Sequence, residues 1–235
     1  MTARTPRKRP AAQHPVLPPG AAKLGLADKA RLMLEEMIVT LDLPPGSIWS
    51  EAELSQRIGI GRTPVREALQ RLEADHLVVI IRRHGARIAE VNVEQQLMLL
   101  ELRRELERLI ATRAARRRSA AEKKRFQELA AELRRVGKGR DVVAFIRLHG
   151  RAWRLAASCT RNRYAEAALA PCIAMSHRFY SLHYRHTRDM DLATRFHADV
   201  MEAIASGDEK EAAAAVSRLM DYVERYTRAT VNEPF

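Results

Sequence analysis

The sequence predicts a mainly α protein in two parts: an N-terminal winged helix-turn-helix with a small β-hairpin wing, followed by an all-α helical bundle. Three observations carry this. A capped short helix and a second helix are separated by a three-residue glycine break over residues 50–74, β-branched residues flank "RRHG" just after them, and helical apolar spacing continues to the end of the chain. At 235 residues with 46% hydrophobic composition the chain can bury two cores.

Residues 1–23 hold five basic and no acidic residues with five prolines. Such a segment cannot form a core and is expected to be a disordered basic arm, either a solvated tail or a contact to DNA phosphates. From there, "DKARLMLEEMIVTL" spaces Leu32, Met33, Met37, Ile38 and Leu41 as one helix face, with Asp28 as the expected N-cap, and "LPPG" ends it. Ser50 and Glu53 form a capping box before a short helix that closes at Gly59. In the next helix Thr63 is the expected cap, Pro64 suits the first position, and Val65, Leu69 and Leu72 make the inner stripe. "LVVIIRRHGARIAEV" then reads as a hairpin with Gly85 in the turn.

This order of elements places the second motif helix, N-terminus first, in a DNA major groove. Arg62, Thr63 and Arg66 would meet phosphates and base edges there. His84 and Gly85 would reach the neighbouring minor groove, and Arg82, Arg83 and Ser50 are further candidate DNA-binding residues. A basic chain with 41 Lys+Arg against 29 Asp+Glu fits a polyanionic partner. Net charge does not locate the reader, because residues 24–90 carry nine basic against ten acidic side chains and residues 91–235 carry 27 against 19.

The stretch "LPPGSIWSEAELSQRIGIGRTPVREALQRLEADHLVVIIRRHGARI" closely resembles the DNA-binding half of GntR-family bacterial transcription regulators, over roughly residues 26–90. The resemblance implies that Arg62, Thr63, Arg66, His84 and Gly85 touch operator DNA. Ala52 stands where some members have an arginine, and Gly61 where a serine or threonine is usual.

Residues 92–235 read as helices near 92–117, 120–136, 141–159, 163–186, 190–206 and 208–230. Ser119 with Glu122 makes a second capping box, Asp141 can cap, Gly137 and Gly139 punctuate, and Pro171 is expected to kink a helix. The run "RAARRR" at 113–118 is expected to be a solvated helix end rather than a second DNA patch. "ELRRELE", "AASCTRNRY" and "HADVMEAIASGDEKEAAAAV" resemble the FCD effector domain of the FadR-type branch of the same family. That resemblance implies homodimerisation, a small carboxylate effector, and in many members a divalent metal held by an aspartate and three histidines. Here His149 stands at the aspartate position, Trp153 at the first histidine, His197 at the second and Leu219 at the third. Zinc, nickel or manganese would find an incomplete ligand set, His149 and His197 at most, so the expectation is a metal-free pocket with no cofactor. His149, Trp153, His197, Arg103 and Arg178 are the candidate effector residues, against the alternative that both histidines are satisfied core residues. His177, His183 and His186 share no i,i+4 face.

Cys159 and Cys172 lie in apolar helical stretches outside any CxxC spacing, so reduced thiols in a cytoplasm are expected. No signal peptide and no membrane span are read from the chain. A metal-dependent hydrolase, the rival reading, lacks a ligand set, a nucleophile with a paired base and a phosphate-cradling loop. An effector-independent DNA-binding protein is the other alternative.

Overall fold

The computed structural model describes residues 23–139, 141–183 and 190–230. The arm expected over 1–23 falls outside them except for Lys23, as does His186.

Three helices and a small sheet form the first unit: α1 (Leu26–Val39), β1 (Ile48–Trp49), α2 (Glu51–Ile58), α3 (Arg62–Ala74), β2 (Val78–Ile81) and β3 (Gly85–Ile88). Leu34, Leu54, Val65, Leu72 and Ile88 fill its core. The Ser50–Glu53 capping box is present, Glu53 N–H donating to Ser50 Oγ at 3.2 Å and Ser50 N–H to Glu53 Oε2 at 2.9 Å. Gly59 closes α2 at φ +68°, a conformation that a side chain would strain.

Three local expectations are corrected. Gly25 is the N-cap of α1, so Asp28 sits inside the first turn and instead pairs with Arg71 at 2.5 Å. Thr63 does not cap α3. Gly61 takes the extended cap conformation (φ −59°, ψ 161°), Arg62 is the first helical residue, and Pro64 is the third. A proline is tolerated there because the first amides of a helix have no partner within it. The wing is also larger than a hairpin, since β1 adds to it in the antiparallel order β1-β3-β2, with Ile48 opposite Arg87 and Trp49 opposite Ala86.

The second unit comprises α4 (Val93–Arg117), α5 (Ala120–Gly139), α6 (Val142–Cys159), α7 (Arg163–His183), α8 (Met190–Ser206) and α9 (Glu209–Ala229). Asn92, Asp141 and Asp208 cap α4, α6 and α9, and Ser119 with Glu122 makes the second capping box. α5 packs along α8 and α4 along α9. Gly137 does not end α5 but lies within it, where a Cβ would meet Thr194 Oγ1 at 2.0 Å. It lets α5 and α8 approach. Arg117 and Arg118 of the basic run donate to the carbonyls of Thr160 and Ala205, so they tie helix ends together.

Candidate functional site

Two regions have the makings of a site. In the first, the opening turn of α3 and the wing turn are exposed. Arg62, Thr63 and Arg66 all face solvent, and the Arg66 side chain is 62% exposed. Glu51, the first residue of α2, holds Arg66 in a two-pronged pair, Nε to Oε1 at 2.8 Å and Nη2 to Oε2 at 2.7 Å. Those hydrogen bonds, with Arg62 nearby, hold the Glu51 carboxyl below its usual range. The pair orients Arg66 on an open surface, where a phosphate or guanine edge can compete for the same fork of donors.

Arg82, Arg83 and His84 form an exposed turn, with Arg83 at φ +64° and His84 N–H donating to Ile81 O at 3.0 Å. Gly85 is needed for a reason the sequence does not show. At φ +103° it lies against β1, and a Cβ there would sit 2.1 Å from Trp49 O. Ser50, half-buried, has its hydroxyl committed to the capping box.

The second region is inside the bundle. His149 and Trp153 from α6, His197 from α8 and Arg103 from α4 are all buried. His149 and His197 pack edge to face with ring centroids 4.3 Å apart, and Trp153 lies 6.5 Å from His149. Sequence reasoning missed His177 of α7, whose Nε2 is 2.8 Å from His149 Nδ1. Its link to α6 spans 28 residues, so no periodicity within α7 could expose it.

Burial, Arg103 and Arg154 push His177 down to about 3. Burial also holds His149 and His197 well below the usual histidine value, with neighbouring imidazoles and Arg103 adding to it. Arg103 donates to Glu107 Oε1 at 2.7 Å, Ser176 Oγ at 2.8 Å and Tyr180 Oη at 3.0 Å. Burial opposes its charge, yet Glu107 and Tyr180 raise its pKa above the ordinary arginine value. Burial in turn pushes the Glu107 carboxyl up against the pull of Arg103. Five buried polar atoms here have no hydrogen-bond partner among the described residues: Arg103 Nη2, Glu107 Oε2, His149 Nε2, Trp153 Nε1 and His197 Nδ1.

Arg178 goes elsewhere. Its guanidinium donates to the carbonyls of Leu77 (3.4 Å), Ala89 (3.1 Å) and Glu90 (3.3 Å), where burial, opposed by Glu90, lowers its pKa to about 10. It therefore fastens α7 to the base of the wing instead of facing the histidines. Ser181 donates to Val39 O and Arg147 pairs with Glu36 at 2.7 Å, so α6 and α7 together grip the first unit. Leu219 is fully buried.

A metal of the kind the helical domain implies does not fit these residues. No group of three or more histidine, cysteine or carboxylate side chains among the described residues is arranged to hold an ion. A tryptophan and a leucine occupy donor positions, and Arg103 adds positive charge to the cluster.

A winged helix with an exposed arginine-bearing helix N-terminus, joined to an all-helical domain, is the architecture of a DNA-binding regulator. Residues 26–88 match the bacterial regulatory proteins of the gntR family and residues 98–222 match the FCD domain. The chain belongs to that family, as a transcriptional regulator with an FCD domain.

Among similar proteins, the HTH-type transcriptional regulator YdhC of Bacillus subtilis is 25% identical over 184 residues, covering 77% of this chain and 80% of YdhC. An HTH-type regulator in an unstable DNA locus of Streptomyces ambofaciens is 41% identical over 61 residues, a match spanning only 26% of either chain. The fold of Escherichia coli McbR/YncC superimposes with a TM-score of 0.80 at 16% identity, covering 89% of this chain and all of that one. A GntR transcriptional regulator from Rhodococcus sp. RHA1 gives 0.66 at 17% identity, over 86% and 97% of the two chains. Among the described residues no helix is long and apolar enough to cross a membrane.

Proposed function

We propose that this protein is a cytoplasmic repressor that binds operator DNA as a homodimer and changes its affinity when a small carboxylate occupies the helical domain. The observation that carries the reading is the exposed N-terminus of α3, where Arg62, Thr63 and Arg66 stand free of the core beside an exposed wing turn. Helix amides and two guanidinium groups in that arrangement recognise phosphates and guanine edges.

Support for a dimer comes from α4. Met98, Leu102 and Leu109 are 57%, 56% and 41% exposed, and their four- and seven-residue spacing puts them on one helix face. A second copy of the chain would cover this apolar row, and one winged helix alone makes few contacts for a tight specific site. The effector reading rests on Arg103. Arg103, although paired with Glu107, keeps an unpartnered Nη2 next to unpartnered imidazole and indole nitrogens, a donor set that suits a carboxylate better than a divalent ion. Buried free Cys159 and Cys172 agree with a reducing compartment.

The test is selection of DNA from a random duplex pool with the full-length protein. An inverted repeat should emerge with half-site centres about one helical turn apart, roughly 10 bp, or somewhat closer. A pool showing no enriched motif after repeated rounds at physiological salt would overturn the reading.

A further inference from the structure

A cavity of about 470 Å³ opens between the two units, well placed to be more than a packing defect. One wall is α1 of the winged helix, through Leu32, Glu35 and Val39. The opposite wall is α5 and α6, including Val136, Ile146 and Leu148. None of His149, Trp153, His197, Arg103 or Arg178 lines it. His177 does, so one imidazole separates the cavity from the buried histidine cluster.

Its charges are unevenly matched. Arg147 pairs with Glu36 at 2.7 Å, Arg151 with Glu132 at 3.1 Å, and Glu35 with Arg31 at 3.1 Å. Arg135 and Arg154 also line the cavity, and neither makes an ion pair or hydrogen bond among the described residues. Arg154 is surface-accessible yet crowded. Partial burial holds it below the usual arginine value, Glu35 opposing the shift and Arg151 adding to it. The result is a largely apolar slot with four arginines against three glutamates, in which Arg135 and Arg154 make no hydrogen bond among the described residues and Arg154 is drawn toward Glu35 and Glu36. The excess positive charge calls for an apolar body carrying negative charge.

We propose that this interdomain cavity is a second ligand site, distinct from the histidine–Arg103 cluster, for an amphipathic organic anion that touches α1 and α6 together. A ligand there bridges the DNA-binding unit and the helical unit. α1 packs directly on α3 and is tied to it by the Arg31–Asp75 pair at 2.8 Å and the Asp28–Arg71 pair. Occupancy would therefore hold α3 at one angle to the bundle, and a ligand that binds this arrangement more tightly than others shifts the population toward it.

The probe is 8-anilinonaphthalene-1-sulfonate, a ring system of suitable size with one fixed negative charge, titrated into full-length protein by fluorescence. One saturable site per chain is expected, displaced by decanoate and not by decylamine. Arg154→Glu should weaken binding about tenfold or more by reversing a charge beside the anion, and Leu32→Trp should block the site from the α1 side. Circular dichroism melts establish that both variants fold. In the unmutated protein, hydrogen exchange with saturating probe should slow in both Leu26–Val39 and Val142–Cys159. Protection confined to α4, α7 and α8, or binding indifferent to both substitutions, would overturn the proposal.

Discussion

Acidification should weaken the helical domain through its three buried histidines, by an amount the structure allows to be worked out. His177 titrates near 3 in the fold against 6.5 for an ordinary histidine, and His149 and His197 are also held well below that value. A histidine with a depressed folded value is neutral in the native state and protonated in the unfolded chain, so between about pH 6.5 and 3 the unfolded state binds more protons. Stability contributed by such a group is intact above pH 6.5 and is lost as pH falls below it. From pH 7 to pH 5 the neutral, buried His177 alone costs about 2 kcal/mol, and His149 and His197 add in the same direction. That is a large share of the roughly 5–15 kcal/mol by which domains are stable.

The assay is urea unfolding of the full chain at pH 7 and pH 5, followed by Trp153 fluorescence in a Trp49→Phe background, since each unit holds one of the two tryptophans. The arginines beside the cluster, Arg103 and Arg154, stay charged across this window, while burial raises the Glu107 carboxyl against the pull of Arg103. Comparison with a variant isolates the histidines from such carboxylates. His177→Gln keeps a hydrogen-bonding group beside His149 but should lower the pH 7-to-5 loss by about 2 kcal/mol, one histidine's share. Equal losses in the two proteins, or a flat stability between pH 7 and 5, would refute the reasoning.

Purified protein should carry far less than one zinc, nickel or manganese per chain, whereas Trp153→His with Leu219→His should take up zinc and gain thermal stability on binding it; metal analysis and melts check both, and stoichiometric metal in the unmutated chain would reverse the conclusion. Leu102→Glu puts a charge in the exposed α4 row and should yield monomers in sedimentation at micromolar concentration, an outcome that a still-dimeric variant would contradict. Gly85→Ala should destabilise the winged unit by about 2–4 kcal/mol, combining a positive-φ penalty with a Cβ forced onto Trp49 O. A melting midpoint unchanged from that of the parent would show that β1 moves aside freely.

Most of the architecture was readable because it is written in local signals. Capping residues, Gly59 and the apolar periodicities fix the helix boundaries to within a few residues, and β-branched runs around a glycine fix the wing. The misses have physical causes. A two-residue strand such as β1 has no period to detect, and only its pairing with β3 defines it. Gly61 rather than Thr63 caps α3 because backbone conformation decides the cap and the side-chain preference is weak by comparison. The exposed face proposed for DNA is legible because its residues follow one another along one helix and one turn. By contrast the histidine cluster gathers α6, α7 and α8, and spacing along α7 says nothing of what His177 meets across 28 residues. Arg178 illustrates the same limit: its partners are main-chain carbonyls about 90 to 100 residues away, a pairing no side-chain pattern records.

The central claim is that α3 reads DNA sequence, and the most direct measurement compares Arg66→Ala with the unmutated protein on the selected duplex and on a scrambled one, by fluorescence anisotropy at fixed salt. Arg66 is exposed and oriented by Glu51 toward solvent, so its loss should cost about 1–3 kcal/mol on the selected sequence and far less on the scrambled one. Unchanged affinity for both duplexes would contradict the account.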